Sequence, residues 1–183
     1  MTKSSKALMS NEEMLEGCKA QKEHAQKILF ERYAGLMTGV CMRYADRYEE
    51  AQDMMQDGFI KVFKKINSFT GKGSLEGWIR RIMVNTALDH LRKTKKERFH
   101  VDVNEVEYKL QDGQQIISSL QADDLLKLIQ ALPVGYRTVF NMYAIEGYTH
   151  KEIAEELGVS ENTSKSQYSR ARSLLQKKLE EIE

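Results

Sequence analysis

The stretch Thr149 to Leu175 reads THKEIAEELGVSENTSKSQYSRARSLL, and the placement of its small residues decides the architecture of this end of the chain. Ile153, Ala154 and Leu157 share an inward helical face, Gly158 stands at a turn, Val159 is expected to be buried, and Ser160 offers an N-cap to a second helix. A tight turn between helices needs a positive φ, which glycine adopts without the steric cost of a Cβ. Ala154 is small where the second helix should cross close to the first. Together these positions predict a helix-turn-helix whose second helix points its first turns outward.

In such motifs the first residues of the second helix reach base edges in the major groove, while its positive end and flanking cations grip phosphates. The candidates are Ser160, Glu161, Asn162, Thr163, Lys165 and Ser166, with Arg170, Arg172, Lys177 and Lys178 further along. The plainer reading is a helical hairpin with a solvated charged face. The Ala, Gly and Ser positions taken together favour DNA binding.

Upstream, the helical period persists. Ser10 and Glu13 form a capping-box pattern ahead of Met14, Leu15 and Cys18, so a short first helix begins near Asn11. Ile28, Leu29, Tyr33, Leu36, Met37, Val40, Cys41 and Tyr44 draw one face of a long helix that Gly35 and Gly39 weaken without ending. A third helix, about Glu50 to Asn67, turns Met54, Met55, Phe59, Val62, Phe63 and Ile66 inward and leaves Asp53, Gln56, Asp57 and Lys61 elsewhere. The loop SFTGKGS (68–74) then feeds a fourth helix capped by Ser74 and ending in a basic run that includes Arg92, Lys93, Lys95 and Lys96.

Between Val101 and Asp124 the composition turns acidic and the period is lost, which reads as an interdomain linker. Helix resumes at Leu125, a new one can start at Pro133, and Val139, Phe140, Tyr143 and Ala144 are expected to continue its pattern. The expectation is an all-α chain of two small helical domains: 1–98, a linker at 99–122, and 123–183 with the helix-turn-helix.

The 183 residues carry 28 Lys and Arg against 27 Asp and Glu, a net charge of +1, so a nucleic-acid signal must come from where the charges lie. Cys18 and Cys41 lie far apart with no metal-ligand spacing, which favours buried thiols in a reduced compartment. No apolar run reaches the roughly 18 residues of a membrane span, and the N-terminus lacks a signal-peptide core. A cytoplasmic location is expected.

Three blocks in this order and spacing resemble the sigma-70 superfamily, specifically the extracytoplasmic function group: DMMQDGFIKVFKKI (53–66), FTGKGSLEGWIRRIMVNTALDHLRK (69–93), and LPVGYRTVFNMYAIEGYTHKEIAEELGVSENTSKSQYSRARSLL (132–175). The resemblance runs from Leu29 to Leu179. It implies an RNA polymerase sigma factor with regions two and four, needing no cofactor and no metal. It also implies that Asp53, Gln56 and Asp57 bind the clamp of the beta-prime subunit of core polymerase; otherwise they are a solvated face.

By the same resemblance the second block opens and reads the minus-ten promoter element, through Phe69, Lys72, Ser74, Asn85, Arg92 and Lys93. Capture of an unstacked base offsets a flipping cost of about a few kcal/mol, so melting needs no cofactor. Asn85 is the candidate for hydrogen bonding that base; alternatively it bonds Asp89, four residues on, or the backbone. Phe59, Phe63 and Trp78 are read as packing residues. The third block is expected to read the minus-thirty-five element as duplex. It departs from the commonest pattern at Ser164, where a Val is usual, and at Gln167 and Tyr168, which replace a frequent Arg-Leu pair. The acidic linker either threads into the polymerase channel or is a plain tether. Family members are commonly held inactive by an anti-sigma factor.

Two rivals remain in view. A stand-alone helix-turn-helix regulator, binding an operator without polymerase, accounts for the last block only. An enzyme would need paired carboxylates with a nearby His, a nucleophile set or a phosphate loop, and His24, His90, His100 and His150 are scattered without any of these.

Overall fold

The computed structural model of the chain describes residues 9–98 and 122–181. Among these residues every regular element is helical. The helices are α1 (Asn11–Lys19), α2 (Glu23–Met42), α3 (Tyr48–Lys65), α4 (Leu75–Arg98), α5 (Ala122–Gln130), α6 (Val134–Phe140), α7 (His150–Leu157) and α8 (Glu161–Glu180), with a 3₁₀ turn at Ile66–Ser68 and a π turn at Asn141–Ile145. By packing, the described residues up to Cys41 join Tyr48–His90 as one compact unit, and Met42–Arg47 joins those from Leu91 onward as a second. The linker expected at 99–122 lies outside the described residues, save that α5 already begins at Ala122.

In the first unit the capping box forms as the sequence predicts. The Ser10 hydroxyl accepts from the Glu13 N–H at 3.1 Å, and the Ser10 N–H donates to the Glu13 carboxylate at 2.9 Å. These bonds favour the ionised carboxylate and hold Glu13 below its ordinary range. Helix α1 ends at Ala20, and Gln21 turns the chain at φ +54° into α2. Gly17 makes the close approach that follows, since a Cβ there would lie 2.5 Å from that of Ala25. Helix α2 continues through Gly35 and Gly39, both open to space.

The core of this unit is mostly apolar: Met14, Leu29, Met37, Val62, Ile79 and Met83 are all wholly buried, and the buried Thr86 hydroxyl donates to the Ile82 carbonyl at 2.8 Å. Phe30, Phe59 and Phe63 form a ring ladder, with centroids 4.8 Å and 6.0 Å apart, in line with the packing expected of the last two. At Gly58 of α3 a Cβ would lie 2.2 Å from the Met83 sulfur of α4, so these helices meet over bare backbone. Cys18 and Cys41 are both buried, and burial pushes the Cys18 thiol up.

The second unit has a smaller apolar cluster in which Leu128, Leu132, Ala171 and Leu175 are buried and Tyr136, Phe140, Leu174 and Leu179 pack against them. Alongside it lie buried polar groups: Arg137, Thr138, Asn141 and Ser164. Arg137 donates to the Gln130 carbonyl at 3.0 Å, and the Thr138 hydroxyl to the Val134 carbonyl at 2.7 Å. Both reach backbone acceptors, which offsets the cost of their burial.

Regular helix does not run through Tyr143 and Ala144. The π turn at Asn141–Ile145 replaces it, with the Glu146 N–H bonded to the Asn141 carbonyl at 2.9 Å. A π turn inserts an extra residue into the ladder and shifts the phase of everything after it. Met142 is therefore buried while Tyr143 and Ala144 are exposed, contrary to the simple 3.6 period.

Candidate nucleic-acid interface

The helix-turn-helix is built from its caps outward. Thr149 caps α7, its hydroxyl accepting from the Glu152 N–H at 3.2 Å while its own N–H donates to the Glu152 carboxylate at 2.8 Å. Gly158 ends α7 at φ +66°, ψ +35°, the left-handed conformation that the turn demands. The Ser160 hydroxyl then accepts from the Thr163 N–H at 3.0 Å and starts α8. Ile153 is wholly buried; Ala154, Leu157 and Val159 are half-buried, a lighter burial than expected for Val159.

Helix α8 divides cleanly into two faces. Ser164, Ala171 and Leu175 are buried, at intervals of seven and four residues, while Glu161, Asn162, Lys165, Ser166, Arg170 and Arg172 are exposed. Glu161 and Lys165 pair at 2.7 Å across one turn, and this bond holds the Glu161 carboxyl below its ordinary range. The Ser160 hydroxyl also meets that of Thr163 at 2.8 Å, and the Ser166 hydroxyl turns back to the Thr163 carbonyl at 2.9 Å. Asn162 and Lys165 therefore stand foremost as long polar side chains on the exposed first turns. Lys177 is exposed and Lys178 half-buried further along the helix.

Ser164 is the unexpected member. Its side chain is wholly buried, and its hydroxyl shares a 3.0 Å hydrogen bond with Nδ1 of His150 at the start of α7. The His150 ring stacks on Tyr143 at 4.1 Å with planes 11° apart, and Tyr168 closes the group at 5.8 Å from His150 and 4.5 Å from Tyr143. Burial and the Lys165 charge hold the imidazole below its ordinary range, opposed by the attraction of Glu161. Sequence reasoning marked Ser164 and Tyr168 as departures but left His150 as an unassigned side chain. Its i+14 relation to Ser164 has no signature in a helical period.

In the first unit Asp53, Gln56 and Asp57 are all exposed on α3, spaced to share one face. Ile60, 51% exposed, continues that face as an apolar residue that the inward stripe did not claim. Asp57 accepts from or pairs with His90 at 2.8 Å, and Lys61 pairs with Asp89 at 2.8 Å, so polar links join α3 to α4.

The loop before α4 is shaped by Gly71 and Gly73, at φ +78° and +85°. Phe69 is buried and packs on Trp78, centroids 5.5 Å apart, so its ring supports the loop from beneath. Lys72 and Ser74 are exposed, and the Ser74 hydroxyl accepts from the Gly77 N–H at 3.0 Å as the predicted cap. Arg92 and Lys93 are exposed further along α4. Asn85 is half-buried, and its side-chain oxygen is buried without a hydrogen-bond partner. Of the readings open for Asn85, a bond from that oxygen to a neighbour is not formed. Among the described residues no cluster of His, Cys, Asp or Glu could hold a metal ion, and no helix is long and apolar enough to cross a membrane.

Described residues that are helical in every regular element, with a capped helix-turn-helix and an outward polar face, define a DNA-binding protein of the transcription machinery once its relatives are compared. Residues 29–97 match the family model of sigma-70 region 2, and residues 122–175 that of sigma-70 region 4. The chain is 25% identical over 183 residues to the RNA polymerase sigma-H factor of Pseudomonas aeruginosa, with 94% of this chain and 95% of that protein covered. It is 30% identical over 132 residues to the RNA polymerase sigma factor SigV of Bacillus subtilis, covering 72% and 77%. Among solved structures it resembles the sigma factor RpoE of Bartonella quintana, determined with the anti-sigma factor NepR, at a TM-score of 0.54 and 24% identity over 84% of this chain and 96% of that one. The fold also resembles CnrH, determined with the cytosolic domain of CnrY, at a TM-score of 0.51 and 18% identity, covering 93% and 97%.

The chain belongs to the sigma-70 family of RNA polymerase sigma factors, in its extracytoplasmic function group. Members of this family are transcription initiation factors whose domains bind core RNA polymerase and promoter DNA.

Proposed function

We propose that this sigma factor divides its work between residues 1–98, which hold core polymerase and open the minus-ten element, and residues 123–183, which read the minus-thirty-five element as duplex, with the acidic sequence 99–122 linking them. It acts in the cytoplasm and carries no catalysis of its own. The observation that carries the reading is the two-faced α8, whose buried face docks the helix while Asn162 and Lys165 stand exposed at its capped, electropositive start. Glu161, Ser166, Arg170 and Arg172 flank them, with Ser160 and Thr163 closing the cap.

In the first unit the α3 face of Asp53, Gln56, Asp57 and Ile60 is the polymerase contact, two acids and an amide followed by one exposed apolar residue. Asn85 hydrogen-bonds the flipped minus-ten base. Its buried, unpartnered oxygen supports this role, because such an atom is costly until a ligand donor reaches it. Lys72 and Ser74 flank the base from the loop, Phe69 supports them, and Arg92 and Lys93 hold the backbone. The likeness to RpoE, solved with the anti-sigma factor NepR, supports control by an anti-sigma factor here as well.

The test is run-off transcription from promoters upstream of the protein's own gene, with sigma-free core polymerase from the same organism. Specific start sites that need the chain are expected. Operator binding without polymerase, and no transcription with it, would instead establish a stand-alone regulator.

A further inference from the structure

The proposed roles of α8 leave the His150 cluster unused. His150 is the first residue of α7, yet its ring lies between the π turn and the reading helix, stacked on Tyr143 and edge-on to Tyr168. Its Nδ1 meets a hydroxyl on the buried face of α8, in the same turn that carries Glu161, Asn162 and Lys165 on the outside. A purely apolar contact at this crossing would let α8 slide or rotate about its axis at little cost, because hydrophobic contact is non-directional. A hydrogen bond between two side chains is directional, and a buried one is costly to break.

We infer that His150 is a positioning residue for the DNA-reading helix: through Ser164, and held by Tyr143 and Tyr168, it sets the rotation of the first turns of α8 and so the aim of Asn162 and Lys165 at the minus-thirty-five bases. The inference rests on the reading of α8 given above.

The arrangement also makes that aim sensitive to the charge of the imidazole. The titratable and charged groups around it are Tyr143 from the π turn, and Glu161, Lys165 and Tyr168 from α8. Lys151, its neighbour on α7, acts on Glu161 from the same side. The positive ends of α7 and α8 add to Lys165 in disfavouring the imidazolium. Once formed, the imidazolium is attracted by the Glu161 carboxylate, which pairs with Lys165 at 2.7 Å. Base choice is then a function of pH through one residue that never touches DNA.

The experiment uses holoenzyme, assembled from the full chain and core polymerase, to select from duplex promoters randomised over both elements, at pH 8 and pH 5. The chain is compared with His150→Phe, which keeps an aromatic ring and loses the hydrogen bond, and with Ser164→Ala, which loses the bond from the other side. Both variants should lower base preference at one or two minus-thirty-five positions by about tenfold, at the lower end of what a good base contact supplies, with the minus-ten preference unchanged. The parent's minus-thirty-five preference should shift between the two pH values, and that of His150→Phe should not. Variants that melt at lower temperature but keep the parent's base preference and pH profile would show a purely structural residue and overturn the inference alone. No minus-thirty-five preference in the parent itself would overturn the reading of α8, and the inference with it.

Discussion

The two units are both helical, yet they are held together by different physics. The first is organised by dry close approach: bare backbone at Gly17 and Gly58 lets helices meet, and methionine, leucine and isoleucine fill the space between. The second has fewer buried aliphatics and more buried polar groups, among them Arg137, Asn141 and Ser164. Apolar packing tolerates interchange of similar shapes, whereas a buried hydrogen bond accepts one geometry. The unit proposed to read duplex DNA is the one richer in buried directional bonds.

Aliphatic truncation should give the largest effects in both units. Leu29→Ala and Ile153→Ala each remove a wholly buried side chain and should cost about 2–5 kcal/mol. Urea unfolding of each variant measures this. A much smaller loss for Ile153→Ala would mean that the second unit collapses around the cavity and is the softer of the two.

Gly17→Ala should cost about 1–3 kcal/mol through overpacking, because the added methyl meets a Cβ fixed to the α2 backbone and no rotamer relieves it. A gain in urea midpoint, as helix propensity alone would give, would refute the close approach as the organising feature of the first unit. Gly158→Ala should cost about 1–2 kcal/mol for a different reason, the left-handed backbone of the turn. Space is open around that glycine, so any larger residue should cost a similar amount. Ser160→Ala should lose about 1 kcal/mol with the cap, and Ser160→Asp should restore it.

The pH response should separate the units by the smallest margin. His150 has a folded-state pKa below its unfolded value of about 6.5. Below that value the unfolded chain binds more protons than the folded one, so stability falls as pH drops through about 6.5 and levels off below the folded value. His150→Phe should flatten this slope in thermal melts between pH 8 and pH 5. An unchanged slope would place the sensitivity elsewhere.

The helices, the Ser10, Ser74 and Ser160 caps and the Gly158 turn were legible because each rests on interactions within a few residues, and local chemistry leaves a local pattern. The outward set on α8 was legible for the same reason, since the helical period separates Asn162 and Lys165 from Ala171 and Leu175. The pattern expected to continue through Tyr143 and Ala144 failed because the π turn adds one extra residue there, and no residue type in NMYAI announces that insertion. Ile60 escaped notice because an apolar residue off the stripe looks like noise until its exposure is seen.

What the amino-acid order determined by itself is therefore the set of helices, their ends and, by resemblance, their family. Only the tertiary structure decided that Gly58 receives Met83, that the oxygen of Asn85 is buried without a partner, and that Ser164 meets His150. Such pairings depend on where two helices cross. Crossing is set by the summed packing of many side chains, and no single stretch of sequence records it.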